Sequence, residues 1–246
     1  MLNPLVRRLQ SFTRLSGADR AALDRLVRRS RRDVPARRDL SREGEAPQAM
    51  SVVLDGWACR YKTLEDGRRQ VLGFLLPGDF CDLRVFLLRA TDHSIGAVTR
   101  LVVAEVSRRE YEALAAEHPR VGRALEWHEL ASAATAREWV LNLGQRTALE
   151  RIAHLLCELR ARLEALGLTR GATCDLPLTQ TDLAEATGLT PVHVNRRVQE
   201  LRRRGLIELG ERVLTVPDAA ALRAVAGFNP NYLHLEREGR RFDAED

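Results

Sequence analysis

The chain has 246 residues, a formal charge of +5 and a hydrophobic fraction of 45%. That fraction is too high for a disordered chain, no apolar run approaches the ~18 residues of a membrane span, and no charged-then-apolar start marks a secretory signal. The basic excess favours a polyanionic partner, although Lys62 is the sole lysine and the arginine bias reads first as genomic composition.

The first 42 residues are arginine-rich, and 1–32 read as an N-terminal helical entry segment. Asp19, Asp24 and Asp33 argue against a transit peptide. Leu5, Leu9, Phe12, Leu15, Leu23 and Leu26 supply the apolar positions of an amphipathic helical segment. From 33 to 107 the texture changes to strand and turn. Glycines recur at REGE, LDGW, EDGR and LPGD, between β-type runs at 50–54, 57–62, 70–75 and 101–106. Asp66-Gly67 suits a tight hairpin. Strands this short need a sandwich or closed barrel to bury their apolar faces.

Residues 108–145 read as helix. Tyr111 and Leu114 begin one apolar stripe, Pro119 restarts the chain, and a long helix follows to about Leu143. Its small run ASAATA permits close approach of two helices, with His128, Ser132 and Thr135 on one possible dimer seam. A further helix over 147–166 carries Leu149, Ile152, Leu155, Leu156, Leu159 and Leu163 at helical spacing, and Gly167 and Gly171 end it.

The segment 146–217 holds the most specific pattern. Thr179 and Asp182 fit a helix N-cap with a returning side chain. Gly188 ends that short helix, Thr190 caps the next, and Pro191 occupies its first turn. Val194, Val198 and Leu201 form a buried i, i+4, i+7 stripe. Geometry then places Val192, Asn195, Arg196, Gln199 and Arg203 on the opposite face, flanked by His193, Arg197, Glu200 and Arg204. In a major groove, Arg196 would hold a guanine, Asn195 an adenine and Val192 a thymine methyl. Arg197, Thr179 and Thr181 would reach phosphates. Apolar runs at 206–209 and 213–216 around Gly210-Glu211 read as a β-hairpin wing. Helix, glycine turn, basic helix and wing together indicate double-stranded DNA as partner. Residues 218–246 form a C-terminal extension: a short helix with Leu222 and Val225, FNPNYL packing back on the body, and a charged end expected to be mobile.

The order of β-barrel, long helix and helix-turn-helix resembles the Crp/Fnr superfamily. The carrying residues are Gly44-Glu45, the glycines through Gly56, LPGDF at 76–80 and LTQTDLAEATGLTPVHVNRRVQELRRRGLI at 178–207. The resemblance implies an α+β protein with a cyclic-nucleotide-binding-like jelly roll, a dimerisation helix and a C-terminal winged helix-turn-helix. It implies a bacterial, cytoplasmic, homodimeric transcription factor that engages RNA polymerase and is not an enzyme. It also matches Arg196 to a guanine-reading arginine. It puts Val192 where many relatives have a cytosine-reading glutamate, and Arg197 where a buried aliphatic is common.

The same resemblance places the effector pocket at GDFCDLRVFLLRATDHSIGAV, with Cys81, Asp82, Leu83, Arg84, His93 and Ser94 as candidate pocket residues. Members that bind cyclic AMP carry glycine-glutamate where Asp82-Leu83 stand here, and arginine-serine where His93-Ser94 stand. Leu83 cannot accept a ribose hydrogen bond, and a mostly neutral His93 replaces a permanent cation. These departures argue against cyclic AMP and leave Arg84, Arg89 or Arg100 for some other nucleotide. The first cysteine is Cys59, which argues against the N-terminal cysteine cluster of the iron–sulfur members. His93 alone is thin support for haem.

No two of Cys59, Cys81, Cys157 and Cys174 have metal or redox spacing, and all four suit a reducing cytoplasm. Three further readings stay open. One is a regulator switched by oxidation of Cys81. Another is a regulator without any ligand. The last is a jelly-roll metalloenzyme, which needs more inward histidines than His93 supplies.

Overall fold

In a computed structural model, residues 3–235 are described, and the charged end at 236–246 lies outside them. The described residues form two compact units: 3–62 with 73–133 and 234–235, and 63–72 with 134–233.

The N-terminal unit begins with two helices where the sequence suggested one segment: α1 (Pro4–Leu9) and α2 (Gly17–Arg29). Ser16 and Asp19 close a capping box on α2, and His118 Nδ1 lies 2.9 Å from Asp19 Oδ1. Burial opposes ionisation of Asp19. The Ser16 and His118 hydrogen bonds nevertheless hold its pKa below the usual range.

Seven strands follow: β1 (Arg31–Val34), β2 (Asp39–Ser41), β3 (Met50–Asp55), β4 (Ala58–Thr63), β5 (Arg69–Leu75), β6 (Ser94–Ala97) and β7 (Leu101–Val106). They make two antiparallel sheets, β1-β7-β3 and β2-β6-β4-β5. Alternation along the strands serves two cores. Val53, Leu101 and Val103 join Ala58, Leu75 and Ile95 in one cluster. Val52, Leu54, Ala104 and Val106 face a second cluster built with Leu5, Leu9, Leu23, Val121 and Leu125 from the helices. The residue after the LPGDF proline explains one glycine: Gly78 has φ +95, and a Cβ there would sit 2.5 Å from the Pro4 carbonyl oxygen.

Helix α3 (Arg108–Glu117) leads into α4 (Pro119–Gln145), one helix of 27 residues. The division between units falls inside α4, whereas the boundary drawn from sequence at 145 follows its end. The face expected to form a dimer seam is partly spent. His128 is 3% exposed, edge-on to Phe12 and Phe80, and 3.6 Å from Asp79, which Arg8 holds at 3.1 Å. Burial lowers its pKa. The exposed stripe is instead Leu130, Ala133, Arg137 and Val140, with Leu141 beside it.

The C-terminal unit contains α5 (Ala148–Ala165), β8 (Thr169–Arg170), β9 (Thr173–Asp175), α6 (Gln180–Thr187), α7 (Pro191–Arg203), β10 (Glu208–Gly210), β11 (Val213–Thr215) and α8 (Ala219–Ala226). Its sheet has the order β10-β11-β9-β8. Gly210 pairs with Val213, so Glu211 and Arg212 alone form the wing tip, at φ +49 and +63. FNPNYL does pack back: a 3-10 turn at Pro230–Leu233 buries Tyr232 and Leu233.

Candidate nucleic-acid interface

The two-helix motif of α6 and α7 is set by local chemistry. Thr179 and Asp182 form a reciprocal capping box at the start of α6: Asp182 N–H donates to Thr179 Oγ1 at 3.1 Å, and Thr179 N–H donates to Asp182 Oδ2 at 2.8 Å. Gly188 takes the left-handed conformation at φ 62 and turns the chain. Thr190 then caps α7, accepting from His193 N–H at 3.3 Å, and Pro191 fills the first turn. Arg151 on α5 braces the turn, donating to the Thr187 carbonyl at 2.8 Å and to the Arg146 carbonyl at 3.1 Å.

Val194, Val198 and Leu201 are buried as the spacing required. On the other face Val192 is 61% exposed, and His193, Arg196 and Gln199 are exposed with Asn195 half-buried between them. Arg196 has no hydrogen-bond or ion-pair partner among the described residues. Arg197 is neither free nor buried: its Nη1 donates to Glu200 Oε2 at 2.5 Å, and Arg204 pairs with the same carboxylate.

Thr179 is a correction. Its hydroxyl donates to Asp182 at 2.8 Å while accepting the Asp182 amide, so it has no O–H left for a phosphate. Thr181 and Thr190 are exposed and keep theirs.

The barrel segment is built differently. Arg60, which nothing in the sequence singled out, donates from Nε to the Cys81 carbonyl at 2.8 Å and from Nη2 to the Phe80 carbonyl at 3.1 Å. Its Nε is also 3.3 Å from Asp82 Oδ1. The other Asp82 oxygen lies 3.1 Å from His93 Nε2, and His93 Nδ1 lies 2.8 Å from Asp92. Asp82, opposed by burial and helped by Asp92, raises the His93 pKa, so this histidine is more basic than the sequence implied.

The remaining pocket candidates scatter. Leu83 packs toward the helix-side core, Arg84 pairs with Glu129, and Ser94 Oγ accepts from Glu43 N–H at 3.0 Å. Arg100 pairs with Asp33 at 2.5 Å, and Arg89 is exposed. A cavity of about 440 Å³ does touch Cys81 and Asp82, but two arginines, Arg32 and Arg42, meet four carboxylates, Asp39, Glu45, Asp82 and Glu105, in its lining. All four cysteines are buried, and burial pushes the Cys81 and Cys157 thiols up to about 12. Among the described residues no group of three or more His, Cys, Asp or Glu is placed to hold a metal ion, and no helix is long and apolar enough to cross a membrane.

A capped α6, a left-handed glycine, an exposed basic α7 and a hairpin wing define a winged-helix DNA-binding unit, which follows a β-roll and a long helix in the chain. Residues 31–118 match the cyclic nucleotide-binding domain and residues 150–225 the Crp-like helix-turn-helix domain. The transcriptional activator protein FnrL of Cereibacter sphaeroides is 39% identical over 188 residues, 75% of each chain. The transcriptional activatory protein AadR of Rhodopseudomonas palustris is 33% identical, over 89% of this chain and 91% of its own. The solved structure of FixK2 from Bradyrhizobium japonicum superposes with a TM-score of 0.72 at 26% identity, covering 81% of this chain and 98% of that one. The chain belongs to the Crp/Fnr family of DNA-binding transcriptional regulators.

Proposed function

We propose that two copies join along the exposed stripe of α4 and set their α7 helices into successive major grooves of a two-fold symmetric operator. The observation that carries this reading is the exposed, unpartnered Arg196 on the face opposite the buried Val194–Val198–Leu201 stripe. Arg196, Asn195 and Val192 read bases. His193 and Gln199 flank them, and Thr181, Thr190 and Arg197 hold phosphates. Leu130, Ala133, Arg137 and Val140 follow the alternating 3–4 spacing of a coiled-coil seam. The protein then works in the cytoplasm, engages RNA polymerase and performs no catalysis.

The test is selection of bound DNA sequences by purified protein, followed by the same binding with Arg196→Ala. Loss of specific binding by a folded dimer is expected. Unchanged specificity in that variant would remove α7's outer face from the reading.

The barrel works without cyclic AMP. Its lining holds more carboxylates than arginines, which repels a cyclic phosphate, and Arg60 already satisfies the carbonyls of the 80–82 segment. Titration calorimetry with cyclic AMP should give no heat, and operator affinity should not change when the nucleotide is added. Oxidation of Cys81 is disfavoured for a related reason: a thiol held near 12 and shielded from solvent is a poor nucleophile. Iron–sulfur and haem cofactors have no role in this reading.

A further inference from the structure

The polar centre of the C-terminal unit is a single carboxylate with no part in DNA contact. Glu158, on α5, is 0% exposed. Trp139, from the end of α4, donates its indole N–H to the two carboxylate oxygens at 3.2 and 3.1 Å. Tyr232, from the extension beyond the wing, donates its hydroxyl at 2.9 Å. Arg162, one turn along α5, lies at 3.4 Å.

One turn before Glu158, His154 is 1% exposed, stacks on the Tyr232 ring at 5.9 Å and meets Phe228 edge-on at 5.1 Å. The chain reaches this place because Gly227 adopts φ +55 at the end of α8 and reverses direction. Three separate elements therefore end on one buried group: the dimer helix α4, the first helix of the DNA-binding domain, and the extension. A buried carboxylate is tolerable only with its donors in place, so each element holds the others to one geometry.

We propose that the extension is a strut that fixes the angle between α4 and the winged helix, with Tyr232 and Trp139 as its positioning residues, and so sets which half-site spacing the dimer accepts. The inference rests on the dimeric DNA-binding reading above. In a symmetric dimer, α4 is the shared frame, and the α4–α5 angle determines how far apart the two α7 helices present themselves. A rigid joint makes the second half-site contact effective at one spacing only. A loose joint spreads the same effective concentration over several.

The experiment uses the full chain and the operator that it selects. Binding is measured on that operator, on versions lengthened or shortened by one and two base pairs between half-sites, and on a duplex with one half-site. The variants are Tyr232→Phe and Trp139→Phe, which keep the rings and remove one donor each, with circular dichroism and dimer mass as controls. The wild type should lose about tenfold or more in affinity when spacing changes, and the variants about threefold or less, with single half-site affinity unchanged. Folded variants with wild-type spacing discrimination overturn the proposal. So does a parallel fall in half-site and operator affinity, which would mean that the network only stabilises the domain. If Tyr232→Phe fails to fold, Trp139→Phe decides on the same criteria. A wild type that binds operators of all spacings equally also overturns it, whereas a wild type that selects no DNA defeats the DNA-binding reading itself.

Discussion

The outer face of α7 and the 80–94 segment of the barrel occupy the two places where a regulator of this kind meets something else, and they are built on opposite rules. On α7, Arg196 stands without a partner among the described residues, backed by a buried apolar stripe that fixes its direction. In the barrel, polar groups are consumed internally: Arg60 by two carbonyls and Asp82, Asp82 by His93, Arg84 by Glu129. A site awaiting a ligand leaves donors unsatisfied in water. A segment whose donors are mostly paired gains less from one. The contrast is between an arginine left open on α7 and a barrel segment whose charged groups are mostly paired.

The contrast breaks most directly at Arg60. Arg60→Ala strands the Phe80 and Cys81 carbonyls and leaves Asp82 with only His93, and the barrel should lose about 2–4 kcal/mol of stability in denaturant unfolding. Operator affinity of the folded fraction should stay as in the wild type, so a selective loss of DNA binding would mean that the barrel segment is not closed on itself. Arg196→Ala is the mirror experiment. Loss of one bidentate base contact should cost about 1–3 kcal/mol of operator affinity in gel-shift titration, relax preference at one base position, and leave Tm unchanged.

A smaller effect is expected at Glu200. Glu200→Gln removes the carboxylate that competes with phosphates for Arg197 and frees Arg204 toward them. It should steepen the salt dependence of binding by about one to two phosphate contacts while changing stability by less than about 1 kcal/mol. The smallest effect is at His93. Its folded pKa is raised, so its pairing with Asp82 and Asp92 contributes fully below the ordinary histidine pKa and is lost as pH rises through the folded value. Wild-type stability relative to His93→Gln should therefore be greater at pH 6 than at pH 9. A pH-independent difference would mean that the pair carries no charge coupling.

What could be read from sequence was what is decided within a few residues. Thr179, Gly188, Thr190 and Pro191 mark helix ends by their own backbone needs, and Val194, Val198 and Leu201 define a face by period alone, so α6, α7 and the wing lie where expected. Strands β3 to β5 and β7 were legible as runs of apolar and aromatic residues set between glycine turns, whereas β6 was not, because Ser94–Ala97 is only four residues long and follows a polar stretch. β8 and β9 are too short to show a period. The effector segment was placed by resemblance, but Arg60 was invisible, since its partners lie 20 to 22 residues away on another part of the barrel. Helix periodicity gave the register of α4 no absolute direction. His128 was assigned to the seam and lies in the core, because the Phe12 and Phe80 rings that enclose it come from outside the helix. Glu158 failed for the same reason: in a helix rich in charges it looks like one more solvated residue, and only Tyr232, 74 positions on, makes it a centre.

The wing tip has a use of its own for protein engineering. A two-residue hairpin with both residues at positive φ is the turn that Asn-Gly makes without cost, yet this chain spends Glu211 and Arg212 there. Replacing the pair by Asn-Gly trades two charged side chains at the end of the wing for backbone relief, in a loop that leaves α7 and the α4–α5 joint untouched. The same two positions thus offer a dial on thermal tolerance that can be turned separately from sequence preference, and a fixed attachment point where a label would report on the wing without entering the recognition helix.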